Sequence, residues 1–179
     1  MIVRFAELDD LKYVEHLRKK ETNSLGFLPI MAFESAITGK KTSSNRWSTT
    51  CNDKLWVIEE NKELVGYLLM SFGQWARVTQ IAIQEDARMI ERGKKILTTG
   101  INYGIIYGRF NFMCGCATDL QSNSFWSAVG WKKLGKRNGK HHLNVWKSKS
   151  KRDINVYHYQ EGGLFFNEQY KNQISQQTN

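Results

Sequence analysis

The chain has 179 residues, of which 41% are hydrophobic and 12% aromatic, and it contains one proline. This length suits a single domain with its own hydrophobic core, and the apolar fraction excludes a disordered chain. No run of about 18 apolar residues without charges is present, which excludes a membrane-spanning helix. The N-terminus has no basic segment followed by an apolar one, so we expect no secretory signal. The odd number of cysteines, three, favours a reduced, cytoplasmic protein over a disulfide framework.

The formal net charge of +9 is concentrated in one short stretch. Residues 132–152 contain nine basic side chains and no acidic one, whereas the rest of the chain carries 17 basic and 17 acidic groups. Because Trp131 and Trp146 lie beside and within this stretch, it suits nucleic acid, whose phosphates pair with Lys and Arg and whose bases stack on aromatic rings. A solvated hairpin with charged edges is the alternative. The predicted docking residues for nucleic acid or the acceptor are Lys132, Lys133, Lys136, Arg137 and Lys140.

The first part of the chain predicts one strand and two helices. Apolar residues recur every three or four positions over residues 9–20, which is typical of a helix with one buried face. A loop then ends at Pro29, a residue favoured at a helix start. The predicted elements are a strand over residues 1–6 and helices over 9–20 and 30–38.

The remainder predicts strands interrupted by two further helices. A break at residues 60–62 separates the first two strands as a hairpin, and Asn138-Gly139 is a strong turn pair. The long helix over 88–107 has an apolar stripe, and its glycines permit close packing. The predicted strands cover 54–60, 63–72, 76–83, 110–117, 131–135 and 141–148, the helices cover 88–107 and 122–130, the stripe is Ile90, Gly93, Leu97, Ile101 and Ile105, and a terminal helix falls within 153–175. This order predicts an α/β domain over residues 1–148 and a C-terminal extension over 149–179.

Two segments have the form of a binding site. In QIAIQEDARMIERGKKIL, a strand is followed by a tight turn and a helix start, where unpaired backbone N–H groups and the helix dipole suit a pyrophosphate. The basic side chains at this end are Arg88, Arg92, Lys94 and Lys95, and a solvated helix start is the alternative. In CATDLQSNSFWSAVGW, a strand ends near Ala117, and Asp119 and Asn123 follow at the start of the next helix, where they either bind a ligand or cap the helix.

Together these segments resemble the GCN5-related N-acetyltransferase (GNAT) superfamily. The family's turn, Arg/Gln-x-x-Gly-x-Gly/Ala, is matched by residues 88–93, and its Asn, aromatic and Gly-Phe signature is matched by Asn123, Trp126 and Gly130-Trp131. The resemblance covers residues 1 to about 148. The LGFLP loop, the Asp-Ala-Arg triplet and CATDLQSNSFW look like a branch of the family found in phages and mobile elements.

The resemblance implies a mixed, mostly antiparallel sheet flanked by helices and an N-acyltransferase that moves an acetyl or other acyl group from acyl-CoA directly to an amine. The implied acetyl-CoA lies in a cleft between the strands over 76–83 and 110–117, with its pantetheine arm along the first strand and its pyrophosphate on the backbone N–H groups of 88–94. The implied cofactor contacts are Ile81, Ala82, Ile83, Arg88, Met89, Ile90, Glu91, Arg92, Gly93, Lys94, Asn123 and Trp126.

The acceptor stays open among nucleic acid, protein lysine and small-molecule amines, and the assembly is a monomer or a homodimer. A catalytically inactive GNAT-like fold, acting as a nucleic-acid-binding or host-interacting module, is the alternative function.

Two departures from the family pattern concern the chemistry. Glu91 replaces a loop glycine and brings a negative charge near the expected phosphates, and Trp126 replaces a tyrosine that protonates the leaving thiolate in many members. Indole cannot supply that proton at neutral pH. Asp119 is the first candidate for the base and Glu85 or Asp86 the next, although an amine of low pKa needs none.

No metal site is predicted. Cys114 and Cys116 alternate on one strand without two further ligands at a recognisable spacing, which favours buried thiols.

Overall fold

A computed structural model describes four stretches of the chain, residues 1–40, 52–73, 75–137 and 143–148. The chain divides into two compact units, Met1–Gly100 and the residues from Ile101 onward. The described strands belong to one seven-stranded sheet. Lys140, the Asn138-Gly139 turn, the side chain of Arg137 and the predicted terminal helix lie outside what the structure describes, so those predictions stay predictions.

The first unit contains four strands and most of the helices. Single turns of 3₁₀ helix, Leu8–Asp10 and Glu85–Ala87, precede α1 and α4. The elements in chain order are β1 (Ile2–Phe5), α1 (Leu11–Lys20), α2 (Thr22–Leu25), α3 (Ile30–Thr38), β2 (Asp53–Glu60), β3 (Glu63–Phe72), β4 (Ala76–Ile83) and α4 (Ile90–Ile106), whose residues after Gly100 are counted with the second unit.

The strands of the first unit pair antiparallel in the order β1-β2-β3-β4. The β2–β3 hairpin turns through Asn61 and Lys62, whose φ angles of 52° and 69° match the twist of the flanking strands. The predicted hairpin break is thus confirmed. A bulge lies in β3, because Ile58 pairs with Gly66 whereas Glu59 pairs with Leu64.

Helices cover both faces of this part of the sheet. On one face a buried cluster joins α1 and α3 to the strands; it comprises Ala6, Val14, Leu17, Phe33, Ala36, Leu55, Val57, Tyr67, Leu69 and Ala82. On the other face α4 packs closely, because a Cβ on Gly100 would lie 2.5 Å from Met70 Sδ and 2.7 Å from Leu68 Cδ2. The prediction that glycine permits close packing of the long helix is confirmed at this position.

The second unit contains three strands in the order β5-β7-β6, all antiparallel. Gly130, with a φ of 79°, follows the end of α5, as predicted. The elements are β5 (Phe112–Ala117), α5 (Ser122–Ala128), β6 (Lys132–Arg137) and β7 (Leu143–Lys147). Among the described helices of the chain, none is both long and apolar enough to cross a membrane.

Two features differ from the sequence prediction. Residues Thr22–Leu25 form a short helix where a loop was expected, and Thr22 Oγ1 donates to the carbonyl oxygens of Arg18 and Lys19 at 3.1 and 2.8 Å. Its polar sequence has no apolar periodicity from which a helix could be predicted. In α4 the apolar stripe begins at Gly93, because Ile90, the first helical residue, is 45% exposed.

Gly66 is required for the close approach of β3 and β4. A Cβ there would lie 2.5 Å from the backbone oxygen of Ala82 and 2.6 Å from Ile83 Cδ1. Because a backbone atom cannot move aside cheaply, Gly66→Ala should lower the free energy of unfolding by about 1–3 kcal/mol. Urea denaturation measures this, with Gly73→Ala as the control, since its Cβ would meet its nearest atom, the Trp75 oxygen, at 3.8 Å. Equal midpoints for the two variants would contradict the prediction.

The Arg4–Asp10 ion pair should make stability depend on pH. Arg4 Nη1 and Nη2 donate to the two Asp10 oxygens at 2.7 and 2.9 Å, and the Glu7 N–H donates to Oδ2 at 2.8 Å. Burial alone would raise the pKa of Asp10, but these hydrogen bonds and the Arg4 charge outweigh it and lower the pKa below its usual 3.8.

A lowered folded-state pKa contributes stability that is present above the unfolded pKa and is lost as pH falls through the folded pKa. Asp10→Asn should therefore unfold more easily than the wild type at pH 7, and the difference should shrink in acid below the usual pKa of 3.8. Denaturation midpoints across pH measure it, with the exposed Asp9→Asn as control. A difference that is constant with pH would exclude this ion pair as the cause.

Candidate cofactor site

The end of β4 is held by both backbone and side-chain hydrogen bonds. The Gln84 N–H donates to the Val65 oxygen at 2.9 Å, and Gln84 Oε1 accepts from the Tyr13 hydroxyl at 3.0 Å. The N–H of Ala87 then donates to the Gln84 oxygen at 3.0 Å and closes the 3₁₀ turn. The turn between β4 and α4 is therefore a fixed structure.

The Arg92 guanidinium joins this turn to the sheet by binding acceptors of the protein itself. Its Nη1 donates to the Ala87 oxygen at 2.9 Å, its Nε donates to Glu60 Oε2 at 3.0 Å, and its Nη2 also contacts that carboxylate. In a regular helix the Ala87 oxygen would accept from the Glu91 N–H. Because α4 begins only at Ile90, the Glu91 N–H lies in the first helical turn and does not make this bond, while Arg92 binds the Ala87 oxygen.

The other basic side chains predicted at the pyrophosphate also have partners in the chain. Arg88 Nε donates to the Ile83 oxygen at 3.3 Å, and its Nη2 pairs with Glu21 Oε2 at 2.5 Å. Lys95 Nζ donates to the Met1 oxygen at 2.6 Å, and Lys94 has an interaction of its own. These side chains hold the turn and helix in place rather than forming an unpaired basic cluster.

The backbone at the start of α4 provides the anion-binding groups. The N–H groups of Arg88, Arg92 and Gly93 donate to carbonyl oxygens within the turn. For the N–H groups of Met89, Ile90 and Glu91, the part of the chain that the structure describes offers no acceptor. The first N–H groups of a helix lack intrahelical partners, and the helix dipole adds positive potential there. The Glu91 side chain is exposed.

In β4 the three predicted pantetheine contacts pair with β3. Ile81, Ala82 and Ile83 lie opposite Leu68, Tyr67 and Gly66, and Ala82 is buried whereas its two neighbours are half-buried. This pairing fixes the backbone of the strand that leads into the turn.

Gln80, one position earlier on the same strand, joins β4 to the loop after α2. Its Oε1 accepts from the Tyr67 hydroxyl at 2.9 Å, and its Nε2 donates to the Leu25 and Gly26 oxygens at 3.1 and 3.3 Å. No role was predicted for Gln80 from the sequence. The available signal was its position, since Gln80 is the polar residue among the inward-facing Ala76, Val78 and Ala82 of an alternating strand.

In the second unit, Asn123 is the centre of a closed hydrogen-bond network. Its Nδ2 donates to the Ala117 and Leu120 oxygens at 2.7 and 2.8 Å. Its Oδ1 accepts from Asn144 Nδ2 at 2.9 Å and from Trp146 Nε1 at 3.0 Å. Because an amide side chain has two donor hydrogens and two lone pairs, these bonds use its full capacity. Asn123 thereby ties α5 and the β5–α5 turn to β7.

Trp126 is 4% exposed and lies in an aromatic cluster. Its ring centroid is 5.2 Å from that of Phe125 and 4.7 Å from that of Trp131. Cys114 and Cys116 are free, buried thiols, which confirms that interpretation, and burial raises the pKa of both. In the described residues no group of three metal-ligating side chains is present.

Solved structures share this architecture at low sequence identity. A ribosomal-protein-alanine N-acetyltransferase from Brucella melitensis is 15% identical, with a TM-score of 0.65 over 83% of this chain and 99% of that one. A spermidine N-acetyltransferase from Vibrio cholerae is 13% identical, with a TM-score of 0.67 over 87% and 99%. A proposed acetyltransferase from Salmonella typhimurium, solved with acetyl-CoA, is 13% identical, with a TM-score of 0.65 over 83% and 93%. No family model and no curated protein matches the sequence.

The chain has the GNAT fold. The predicted α/β class, with a mixed, mostly antiparallel sheet flanked by helices, is confirmed. In the GNAT fold of this chain, the predicted base candidates are all surface groups: Asp119 follows β5, and Glu85 and Asp86 lie in the 3₁₀ turn after β4. Their roles stay predictions.

The basic stretch of this GNAT-fold chain is described only in part. Lys132, Lys133 and Lys136 are exposed on β6, and Trp131 and Trp146 are each 7% exposed. Buried indole rings cannot stack on bases, so of the two features that suggested nucleic acid, exposed charge is the one that these strands present. Docking of an anionic partner there stays a prediction.

The Asn123 network gives a stability prediction. Asn123→Ala would leave the Asn144 amide and the Trp146 N–H without their acceptor, so we expect a loss of about 2–4 kcal/mol in the free energy of unfolding. Urea denaturation followed by circular dichroism measures the loss. Ser124→Ala is the matched control, because Ser124 Oγ makes one exposed bond, to the Gln121 oxygen at 2.7 Å. A loss no larger than that of the control would show that the network is not a major source of stability.

Proposed function

We propose that this protein is an N-acetyltransferase that transfers an acetyl group from acetyl-CoA to an amine. The observation that carries the proposal is the start of α4. Three consecutive backbone N–H groups are available there, those of Met89, Ile90 and Glu91, and Arg92 fixes the turn by binding the Ala87 oxygen. The GNAT fold and a neighbour solved with acetyl-CoA support the same function.

The residues present fit the cofactor through the backbone. Consecutive N–H groups at a helix start bind phosphate oxygens without a positive side chain. Arg88 and Arg92 would act through the turn, by holding the Ile83 and Ala87 oxygens, rather than as direct phosphate ligands. The exposed Glu91 side chain would be directed away from the phosphates, because like charges repel.

Acetyl-CoA would supply the acetyl group as a thioester: the amine nitrogen forms the C–N bond, the C–S bond breaks, the thiolate leaves and the nitrogen loses a proton. In the proposed reaction a backbone N–H would polarise the thioester carbonyl, and the exposed carboxylate of Asp119, Glu85 or Asp86 would accept the proton. Trp126, buried against other aromatic rings, takes no part in proton transfer.

An amine acceptor agrees with the neighbours, which include N-acetyltransferases for spermidine and for an alanine of a ribosomal protein. The class of amine is not given by these names, since the fold accepts different acceptors.

Replacing one backbone N–H tests the phosphate site directly. Ile90→Pro removes the N–H of the first helical residue, where proline is tolerated, and should weaken acetyl-CoA binding about tenfold because a hydrogen bond to a charged group is lost. Ile90→Ala is the matched control, since it shortens the same exposed side chain and keeps the N–H. Isothermal titration calorimetry gives both affinities, and circular dichroism checks the helix.

Binding of S-acetyl-pantetheine, which lacks the pyrophosphate, should be the same in the two variants. Equal acetyl-CoA affinity in Ile90→Pro and Ile90→Ala would show that this N–H does not bind phosphate. Absence of acetyl-CoA binding to the wild type at millimolar concentration would overturn the proposed function as a whole.

A further inference from the structure

Arg18 is a buried cation on α1 without an ion-pair partner among the described residues. Arg18 is 6% exposed, which is nearly as buried as its core-facing neighbour Leu17 at 2%. Its Nε lies out of contact with solvent and has no hydrogen-bond partner. A buried N–H donor without an acceptor is costly, because it has lost water without gaining a hydrogen bond.

The nearby carboxylates are paired with other cations. Glu15 pairs with Lys19 at 2.9 Å, and Glu21 pairs with Arg88 at 2.5 Å. In the described part of the chain, no carboxylate oxygen lies within 4.0 Å of the Arg18 guanidinium. The positive charge is therefore left for a partner that these stretches of the chain do not supply.

An aromatic ring covers one side of this charge. The centroid of the Phe27 ring lies 5.6 Å from Arg18 Cζ, a cation–π distance, and Phe27 is 64% exposed. The loop before it is fixed, because Gln80 binds the Leu25 and Gly26 oxygens. The guanidinium and the ring thus form a preorganised pair at the end of α2, with an exposed apolar surface beside a charge.

We propose that Arg18 binds the carboxylate of the acceptor, so that the acceptor is an amine that also carries a carboxylate. This inference rests on the proposed function, because the ligand is the acceptor only if the protein is an N-acetyltransferase. A guanidinium fork matches a carboxylate with two parallel hydrogen bonds, and a single cation is balanced by a single negative charge, which favours a carboxylate over a phosphate dianion. The exposed face of Phe27 would contact the carbon chain of the amine.

Binding of amino acids, measured without acetyl-CoA, tests the inference. The probes are β-alanine, L-phenylalanine and L-lysine, which differ in the spacing between carboxylate and amine, each beside its carboxamide. Calorimetry should show that at least one acid binds the wild type about tenfold or more tightly than its carboxamide. If no acid is preferred over its carboxamide, the inference is wrong.

The matched variants separate the fork from simple charge. Arg18→Met keeps the alkyl chain and should remove the preference for the acid, and Arg18→Lys should keep only part of it, because an ammonium lacks the fork. Lys20→Met makes the same charge change at an exposed position of α1 and should keep the full preference. An unchanged preference in Arg18→Met would overturn the inference.

The unfolding midpoint, measured with and without the acid, distinguishes a ligand-binding Arg18 from one that only stabilises the fold. Arg18→Met removes a charge without an ion pair but also its cation–π contact with Phe27, so the readout is the shift of the unfolding midpoint that the ligand causes. The preferred acid should raise the midpoint of the wild type and leave that of Arg18→Met unchanged, because a ligand stabilises only the form that binds it. An acid that raises the midpoints of the wild type and of Arg18→Met equally would overturn the inference.

The two proposals can fail separately. If the wild type does not bind acetyl-CoA but binds the acid through Arg18, the transferase function is wrong and the carboxylate site stands. If acetyl-CoA binds and the acids are not preferred, the carboxylate site alone is wrong. Where transfer is observed, Arg18→Met should raise KM for the acid about tenfold, with little change in kcat or in the KM of the carboxamide.

Discussion

The candidate site depends on the contact between the Arg92 guanidinium and the Ala87 carbonyl oxygen. Ala87 lies in the 3₁₀ turn before α4, and Arg92 binds its oxygen while also binding Glu60 at the end of β2. The 3₁₀ turn is thereby fixed to the sheet beside the first N–H groups of α4, which lack intrahelical partners. A positively charged side chain thus stabilises the turn of the candidate anion site while its guanidinium binds protein acceptors.

The order of helices and strands was predictable from local patterns in the sequence, whereas the interaction partners of the charged side chains were not. Helical spacing over residues 9–20 and 88–107 predicted helices close to α1 and α4 as observed. Arg92 is different, because its carboxylate partner, Glu60, is 32 residues away in the sequence and is brought to it only by the packing of α4 on the sheet. A motif predicts that a basic side chain stands near phosphate but not which way its guanidinium points.

Polar residues in apolar positions are the part of the site that periodicity could have identified. Gln80 occupies an inward position of β4, and Arg18 follows Val14 at the four-residue spacing of the buried face of α1. Each breaks a pattern that its element otherwise keeps, and such violations are expected where function replaces packing. Asn123 shows the limit of motif reasoning, since the resemblance identified the residue, whereas its four hydrogen bonds were visible only in three dimensions.

The arrangement of charges in the first unit implies a division between cofactor and acceptor recognition. Around the turn, positive side chains are paired within the chain, so anion binding falls to neutral backbone groups, which distinguish a phosphate by geometry. Arg18 has no ion-pair partner in the described residues, so a charge on the ligand decides what binds there. Such a site would always bind the same cofactor, through backbone N–H groups that most side-chain substitutions leave in place. Its choice of amine would depend on a single side chain of α1, which a substitution can change without disturbing the turn.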